Sequence, residues 1–284
     1  MANKKLMIHD FYQMRAAGKK ICWLTSYDYP TAQFAETAGM DMILVGDSLG
    51  MCVYGYASTI PVTMEQCLVH CEAVRRGAPN TFIVGDMPFL SYQTSTWEAV
   101  TNAGRFLKEA GMDAIKLEGG LRITRQIEAI TDAGILVIGH IGLTPQSSGQ
   151  LGGHKAQGRT AESARMVVED ALAVEKAGAK MLLVEAVPPE VTATISKKLA
   201  IPVLSIGAGP DCDGQLLIVS DLIGQFQAFT PKFVKRYCNV AELIVQAMKD
   251  YCDDVRTCRF PEEAHCYRMI EGEYEKFRSG DKER

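Results

Sequence analysis

The chain has 284 residues, 47% of them hydrophobic, and its 34 acidic and 30 basic residues give a net charge of −4. This length suits one large α/β domain, and no apolar run approaches the roughly 18 residues that a membrane span needs. The interspersed charges show no basic face for nucleic acid, and the N-terminal residues lack the apolar stretch of a secretory signal. With nine scattered cysteines, an odd number, we expect reduced thiols in a cytoplasmic protein without nucleic-acid or membrane partners.

Short apolar runs alternate with stretches of helical periodicity along most of the chain. The predicted strands are Ile21–Thr25, Met42–Gly46, Thr81–Gly85, Ala114–Leu117, Leu136–Gly139, Met181–Val184, Val203–Ile206 and Gln215–Val219. The predicted helices are Pro30–Ala38, Thr63–Arg76, Ser95–Ala110, Arg122–Ala133, Ala161–Ala177 and Pro189–Leu199. Several of these helices end at an Ala-Gly pair, which is typical of a helix C-terminus.

Eight strands alternating with helices predict a closed (β/α)8 barrel of the TIM type. An open, doubly wound sheet is the alternative, but no Gly-x-Gly-x-x-Gly turn follows the first strand. The segment from Gly207 to Pro210 is only a fragment of such a turn. We expect residues 1–284 to form a single barrel domain with a helical C-terminal extension from about residue 226.

Aspartates follow the second and third predicted strands directly after a Val-Gly pair. Either Asp47 or Asp86 alone could be a solvated loop residue or a helix cap. Because the ends of parallel strands meet at one edge of a barrel, the two together favour a metal site. Oxygen ligands without nearby Cys or His suit Mg²⁺. The carboxylates of Asp47, Asp86, Glu118 and Glu185 would repel one another at this edge, unless they share a cation or a proton.

Lys116 and Glu118 are two residues apart on the fourth strand, so their side chains share one face. They could form an outward salt bridge, but Ile115 and Leu117 would then face the barrel interior and helices would cover the charges. A position inside the barrel, near the aspartates, is electrostatically more favourable.

Two further polar residues end strands five and six. His140 could be a hydrogen-bonded structural residue or an active-site group. Glu185 follows the run Met-Leu-Leu-Val, and mostly apolar surroundings would suit it to act as a general base.

Two other features allow more than one interpretation. Cys67, His70 and Cys71 could share a helical face and suggest zinc, but three ligands on one helix do not complete a tetrahedron, so ordinary helix packing is favoured. The polar, Gly-rich segment from Gln146 to Gly158 is either a surface loop or a lid, and its place after the fifth strand favours the lid.

Ordered motifs extend over nearly the whole chain, from about residue 5 to 270. They include Gly46-Asp-Ser-Leu-Gly-Met51, Asp86-Met-Pro-Phe89, Lys116-Leu-Glu-Gly-Gly120, Gly139-His-Ile-Gly-Leu-Thr-Pro-Gln146, Ile206-Gly-Ala-Gly209 and Pro231-Lys-Phe-Val-Lys-Arg-Tyr237. Together they resemble the 3-methyl-2-oxobutanoate hydroxymethyltransferase (ketopantoate hydroxymethyltransferase) family. One departure is Ser220, which stands before Asp221 where the family often has His.

The resemblance implies a barrel of the phosphoenolpyruvate/pyruvate superfamily. The implied reaction transfers a hydroxymethyl group from 5,10-methylenetetrahydrofolate to 3-methyl-2-oxobutanoate, giving 2-dehydropantoate for pantothenate and coenzyme A. It further implies one Mg²⁺ per subunit and a homodecamer of paired pentamers. The implied site residues are Asp47, Asp86 and Glu118 for the metal, Asp47, Ser48, Asp86, Lys116 and His140 for the keto acid, and Glu185 as the base.

Two other functions remain open from the sequence. A lyase or phosphonomutase of the same superfamily is one, although a lyase would be expected to carry a Cys-bearing loop and the loop after strand five has none. The other is a barrel that binds metal or folate without catalysis, which would not need Lys116 and Glu185 together with the metal pair.

Overall fold

The computed structural model describes residues 5–280 and contains a closed barrel of eight parallel strands in chain order. The strands are β1 Ile21–Thr25, β2 Met42–Val45, β3 Phe82–Asp86, β4 Ala114–Glu118, β5 Val137–Gly142, β6 Met181–Glu185, β7 Val203–Ile206 and β8 Gly214–Leu217. Each strand pairs with its neighbours in the chain, and β8 pairs with β1 to close the barrel. The predicted fold class is confirmed, and each predicted strand overlaps an observed one.

Helices follow most of the strands. They are α1 Ile8–Ala16, α2 Tyr29–Thr37, α3 Leu49–Cys52, α4 Met64–Gly77, α5 Thr96–Lys108, α6 Thr124–Asp132, α7 Ala161–Lys176, α8 Pro189–Lys198, α9 Val219–Leu222, α10 Val240–Arg256 and α11 Glu273–Gly280. The six predicted helices correspond to α2 and α4–α8. Within residues 5–280, no helix has both the length and the apolar character that a membrane crossing requires.

Alternate residues of the strands fill the barrel interior with apolar side chains. Met42 and Leu44 of β2, Phe82 and Val84 of β3, and Leu183 of β6 belong to this inner core. Side chains of a strand alternate between its two faces, so the intervening residues point outward against the helices. The inner layer is a packed core, and it limits the open space in the barrel to the carboxyl ends of the strands.

Helix α1, which the sequence did not predict, contributes Phe11 and Met14 to the same inner core. The ring of Phe11 meets that of Phe82 edge-on, with centroids 5.2 Å apart. Phe82 is the first residue of β3, so α1 packs at the amino ends of the strands. Phe11 and Met14 are the two buried residues of this nine-residue helix. Two buried positions are too few for a helical periodicity to be recognised in the sequence.

The outer core joins the strands to the surrounding helices. Ile43 and Val45 of β2 face helices that include α4, whose Cys67 and Cys71 are fully buried in this cluster. His70 of α4 has its Nε2 3.1 Å from the Tyr54 hydroxyl and its Nδ1 against the Tyr27 carbonyl. Cys67, His70 and Cys71 thus take part in ordinary helix packing, as the sequence analysis favoured.

The chain divides into two compact units after Tyr237. Residues 226–237 belong to the unit that contains the barrel. The second unit, from Cys238, contains α10, a 3₁₀ turn at Glu263–His265 and α11. None of the α10 side chains is buried, and Leu243, Met248 and Tyr251 are among its exposed apolar residues.

Candidate active site

A layer of charged side chains lies directly above the apolar core of the barrel. The side chains of Val84, Ala114, Ile138 and Leu183 point into the barrel. Because strand side chains alternate between two faces, the residues two positions later also point inward. Those residues are Asp86, Lys116, His140 and Glu185, and Glu118 follows Lys116 on the same face. The barrel topology therefore brings the predicted strand-end residues together at one mouth.

Asp47 and Asp86 are neighbours in this layer, with exposures of 4% and 1%. The backbone N–H of Asp47 donates a 3.0 Å hydrogen bond to Oδ2 of Asp86. Burial, with repulsion from Asp86 and Glu118, raises the pKa of Asp47 well above its ordinary value. Burial also raises the pKa of Asp86, although Lys116 opposes this effect. The pair is thus an unfavourable concentration of negative charge that a cation would relieve.

Lys116 supplies one positive charge to this layer. Its Nζ lies 2.8 Å from Oδ1 of Asp86 and 3.4 Å from Oε1 of Glu118. Burial favours the neutral amine, but the carboxylates of Asp86, Glu118 and Asp47 outweigh it and raise the pKa of Lys116. The side chain is therefore an ammonium at neutral pH, and the alternative of an outward surface salt bridge is wrong.

His140 lies between two carboxylates. Its Nδ1 is 3.3 Å from Oε1 of Glu118, and its Nε2 is 3.1 Å from Oε2 of Glu185. Burial and the charge of Lys116 lower its pKa, but hydrogen bonding to the two glutamates raises it to about 9. Burial raises the pKa of Glu118, yet Lys116 and His140 lower it to about 2. An imidazolium thus links the two glutamates at neutral pH.

Glu185 is the least enclosed of these acids, with a side chain that is 14% exposed. The sequence indicated mostly apolar surroundings, but the nearest polar partner of its carboxylate is His140. The next residue, Ala186, has a left-handed backbone with φ 48°, a conformation that is costly for a residue with a Cβ. The strained turn lies immediately beside the carboxylate that the sequence favours as a base.

Ser48 is at the start of α3, directly after Asp47. Its Oγ is 2.8 Å from the hydroxyl of Tyr27, a buried residue that follows β1. Ser48 also lines the cavity above the charged layer. Its hydroxyl is therefore held in place at the edge of the site.

Gln146 is a buried residue of the site that the sequence did not single out as such. Its side-chain amide donates to Oδ2 of Asp47 and to the Met87 carbonyl, both at 2.9 Å. Its backbone N–H donates to Oε2 of Glu118 at 3.0 Å, and its amide oxygen accepts from the Tyr92 hydroxyl at 2.9 Å. Gln146 thus fixes two of the predicted metal-site carboxylates, Asp47 through its side chain and Glu118 through its backbone. Its position directly after a Thr-Pro pair at the end of β5 was the available signal.

The carboxylates have oxygens suited to a magnesium ion, although they do not form a preassembled site. Within residues 5–280, no three His, Cys, Asp or Glu side chains are grouped so as to hold a metal. Lys116 lies beside Asp86, and both oxygens of Glu118 have other partners. Oδ1 of Asp86 is fully buried, and its polar partner is the Lys116 ammonium at 2.8 Å. Mg²⁺ usually takes only one or two carboxylates and completes its shell with water and substrate oxygens, so Asp47 and Asp86 fit it.

A cavity of about 970 Å³ opens above the charged layer. The loop after β5, residues 143–160, forms part of its wall through Leu143, Pro145, His154 and Arg159. We call this segment the β5 loop. It crosses close to β6, because the Leu143 N–H donates to the Glu185 carbonyl at 2.9 Å. Gly142 makes this approach possible: with φ 90°, a Cβ there would lie 2.4 Å from the same carbonyl oxygen.

The β5 loop is predicted to act as a lid, and proteolysis tests this. Lys155 is exposed on the loop, so trypsin should cut after it in the free protein. Mg²⁺ and keto acid should slow that cleavage several-fold if the loop closes over bound ligand. Cleavage after the exposed Arg259 of the second unit is the internal control and should not change. Equal cleavage after Lys155 with and without ligands would contradict a lid.

Comparisons with known proteins agree with the motifs in the sequence. The profile described as ketopantoate hydroxymethyltransferase matches residues 5–263. The 3-methyl-2-oxobutanoate hydroxymethyltransferase of Alkaliphilus metalliredigens (strain QYMF) is 62% identical over 275 residues, covering 97% of each chain. The enzyme of that name from Geobacillus kaustophilus (strain HTA426) is 52% identical, covering 93% of this chain and 95% of the relative. The chain belongs to the ketopantoate hydroxymethyltransferase family. The predicted family membership is confirmed.

Solved structures show the same fold at low sequence identity. A phosphonopyruvate hydrolase in complex with oxalate and Mg++ has a TM-score of 0.60 at 14% identity, covering 98% of this chain and 96% of that chain. A 2,3-dimethylmalate lyase of the PEP mutase/isocitrate lyase superfamily has a TM-score of 0.57 at 17% identity, covering 98% of both chains. At such identities the likeness shows the fold alone.

Proposed function

We propose that the protein transfers a hydroxymethyl group from 5,10-methylenetetrahydrofolate to 3-methyl-2-oxobutanoate, giving 2-dehydropantoate for pantothenate and coenzyme A synthesis. Membership of a family of hydroxymethyltransferases supports a transferase. The observation that carries the proposal is the placement of Glu185 and Lys116 at one barrel mouth beside the Asp47–Asp86 pair. A base, an ammonium and a cation site are what proton removal next to a carbonyl requires.

We propose Asp47 and Asp86 as the residues that hold one Mg²⁺ per subunit. When bound, the ion would act as a Lewis acid toward the keto and carboxylate oxygens of the substrate and so make its C3 hydrogen more acidic. Glu118, whose oxygens are held by Lys116, His140 and Gln146, is placed to support the surrounding water and ligands. A direct bond from Glu118 would require it to exchange one of these contacts.

Lys116 and Ser48 are proposed to bind the keto acid. The ammonium of Lys116 stays charged because three carboxylates raise its pKa, so it can stabilise the oxygen on which negative charge develops after C3 loses its proton. In a buried site this attraction is much stronger than in water. The Ser48 hydroxyl, fixed by Tyr27, offers a neutral hydrogen bond to the same substrate.

Glu185 is proposed as the base, with His140 as the residue that positions it. The imidazolium contacts one oxygen of Glu185 at 3.1 Å, which leaves the other free to accept the C3 proton. The carbon that has lost its proton forms a bond to the methylene carbon of the folate, both bonds from that carbon to N5 and N10 break, and one water supplies the product hydroxyl. The two released nitrogens take up the C3 proton and the remaining proton of that water, which gives tetrahydrofolate. A positioned base contributes about 10² to 10⁴ in rate.

The proposal is tested by incubating the protein with Mg²⁺, 3-methyl-2-oxobutanoate and 5,10-methylenetetrahydrofolate. Mass spectrometry should detect 2-dehydropantoate and tetrahydrofolate in equal amounts, and a chelator should stop their formation. Exchange of the C3 hydrogen for deuterium is followed separately by proton NMR without folate. Exchange without transfer would indicate a different one-carbon donor. Neither exchange nor transfer would favour a barrel that binds without catalysis.

We also propose a homodecamer located in the cytoplasm. The exposed apolar side chains of α10, such as Leu243 at 70% and Met248 at 63% exposure, support association with other copies. Large apolar side chains that are exposed together on one surface commonly mark a protein–protein contact. Native mass spectrometry measures the number of subunits directly, and a monomer at micromolar concentration would contradict the proposal.

A further inference from the structure

Tyr27 is a buried tyrosine that stands behind the charged layer and is not part of the cavity wall. It lies in the loop between β1 and α2 and is only 4% exposed. Its ring belongs to the outer apolar cluster, together with Leu49 of α3 and Cys71 of α4. A buried hydroxyl costs stability unless it is hydrogen-bonded. Phenylalanine would suit the apolar cluster equally well, so the hydroxyl needs an explanation.

The Tyr27 hydroxyl has Ser48 as its hydrogen-bond partner. The two hydroxyl oxygens are 2.8 Å apart, and Ser48 is the one of the pair that lines the cavity. Burial raises the pKa of Tyr27 well above its ordinary value. The phenol therefore keeps its proton at neutral pH and remains able to donate it in a hydrogen bond.

Gly46 leaves room for the same serine hydroxyl. A Cβ at position 46 would lie 2.8 Å from Oγ of Ser48, which is closer than real Cβ contacts allow. The hydroxyl thus lies against the backbone of Gly46 while Tyr27 holds it. These two contacts restrict the Ser48 side chain to one position at the edge of the cavity.

The loop that carries Tyr27 is itself fixed on both sides. The Ser26 N–H donates to a carbonyl of β2 at 2.9 Å. The Asp28 carboxylate accepts from the Thr31 N–H at 2.7 Å and caps α2. Between them, the Tyr27 carbonyl contacts Nδ1 of His70 in α4. Tyr27 is therefore held in place before any ligand binds.

The chemistry of a keto acid determines the direction of the hydrogen bond between the two hydroxyls. The anion of a 2-oxo acid presents only acceptors, the keto oxygen and two carboxylate oxygens. Ser48 has a single hydroxyl proton, so it can donate to the substrate only if Tyr27 donates to Ser48. A hydroxyl that accepts one hydrogen bond also becomes a stronger donor in the next.

We propose that Tyr27 is a positioning residue for the keto acid, because its phenol donates to Oγ of Ser48 and turns the serine proton toward the substrate oxygens. The inference rests on the proposed function, in which Ser48 binds the keto acid, and it deepens that function. Tyr27 itself does not touch the substrate, so all of its effect should pass through Ser48.

A double-mutant cycle of Tyr27→Phe and Ser48→Ala tests this. Calorimetry measures the Kd of 3-methyl-2-oxobutanoate with Mg²⁺ present and without folate. Tyr27→Phe should raise the Kd about three- to tenfold, the usual effect of one neutral hydrogen bond, and Ser48→Ala should raise it at least as much. The double variant should bind within about twofold of Ser48→Ala alone, because the tyrosine has no serine left to orient.

Effects that multiply in the double variant would show that Tyr27 acts independently of Ser48, and the inference would be overturned. A parental Kd in either single variant would overturn it as well. The cycle stays informative if Tyr27→Phe also lowers the unfolding temperature, since a general loss of structure would weaken binding in the Ser48→Ala background too.

The kinetics of C3 exchange separate positioning from general damage. In Tyr27→Phe the KM for exchange should rise about three- to tenfold while kcat stays within about threefold of the parent, because the hydrogen bond is present before and after proton loss. A tenfold fall in kcat with an unchanged KM would contradict the inference. Tyr12→Phe is the matched control, since the Tyr12 hydroxyl donates to the Lys180 carbonyl at 3.0 Å, away from the cavity. It should keep both parental constants.

The outcome for the parent protein distinguishes this inference from the proposed function. If the parent catalyses neither exchange nor transfer, the proposed function fails, and the binding cycle still measures the coupling of Tyr27 to Ser48. Parental exchange combined with multiplying effects in the cycle defeats only the inference about Tyr27.

Discussion

Glu185→Gln is expected to slow deuterium exchange at C3 of 3-methyl-2-oxobutanoate by about two to four orders of magnitude, the usual contribution of a positioned base. The amide keeps the shape of the side chain, and its oxygen can occupy the position 3.1 Å from His140 Nε2. It lacks the ability to take a proton and the negative charge that faces His140. Proton NMR without folate measures this step alone, and binding of the keto acid should persist.

Glu190→Gln is the matched control, because Glu190 follows the same strand but is exposed on α8. It should exchange at the parental rate. Parental exchange in Glu185→Gln would instead show that another carboxylate removes the proton, and Glu118 would be the next to test. A retained exchange rate combined with lost transfer would place Glu185 in a later step.

Asp47→Asn and Asp86→Asn are expected to change stability by different amounts while both abolish the effect of Mg²⁺. Burial and repulsion raise the folded-state pKa of Asp47, so its charge costs stability above its unfolded pKa. Removing that charge should raise the unfolding temperature of the metal-free protein. Burial also raises the folded-state pKa of Asp86, but Lys116 at 2.8 Å opposes this rise, so the charge of Asp86 costs less stability. Asn at position 86 should therefore raise the unfolding temperature by less than Asn at position 47.

Thermal unfolding with and without Mg²⁺ measures both effects. At about 100 times its Kd, a ligand stabilises the folded state by about 2.7 kcal/mol, and each kcal/mol shifts the midpoint by roughly 2–4 °C in domains of comparable size. The parent and the variant Asp211→Asn, at an exposed aspartate in the loop before β8, should show this increase. If both Asn variants at positions 47 and 86 also show the full increase, the two aspartates do not hold the ion.

The barrel was predictable from sequence because a parallel strand buried on both faces is a short continuous apolar run. Met42–Val45 and Met181–Glu185 are clear examples. The polar residues at the strand ends were also recognisable in the sequence, because a charged residue stands out directly after a continuous apolar run. Topology then determines that the ends of different strands meet, so Asp86 and His140 could be predicted to share one mouth without knowing any distance.

Partners contributed by loops were much harder to predict. Gln146 is one polar residue among many in the β5 loop, and only the structure shows its amide on Asp47 and its backbone N–H on Glu118. A loop side chain is positioned by tertiary contacts, and these leave little trace in local patterns.

Both ends of the β5 loop are bonded to the reaction centre, and this has a consequence for timing. At its beginning Gln146 holds Asp47 and Glu118, and toward its end the Gln157 N–H donates to the carbonyl of Ala186, the residue after Glu185. A displacement of the loop would therefore disturb the acids that we propose as cation ligands and the proposed base at the same moment. Under the proposed mechanism, solvent that enters under a displaced loop would meet a centre whose groups are out of alignment, so the bonds that position these groups would also protect the carbanion from being quenched too early.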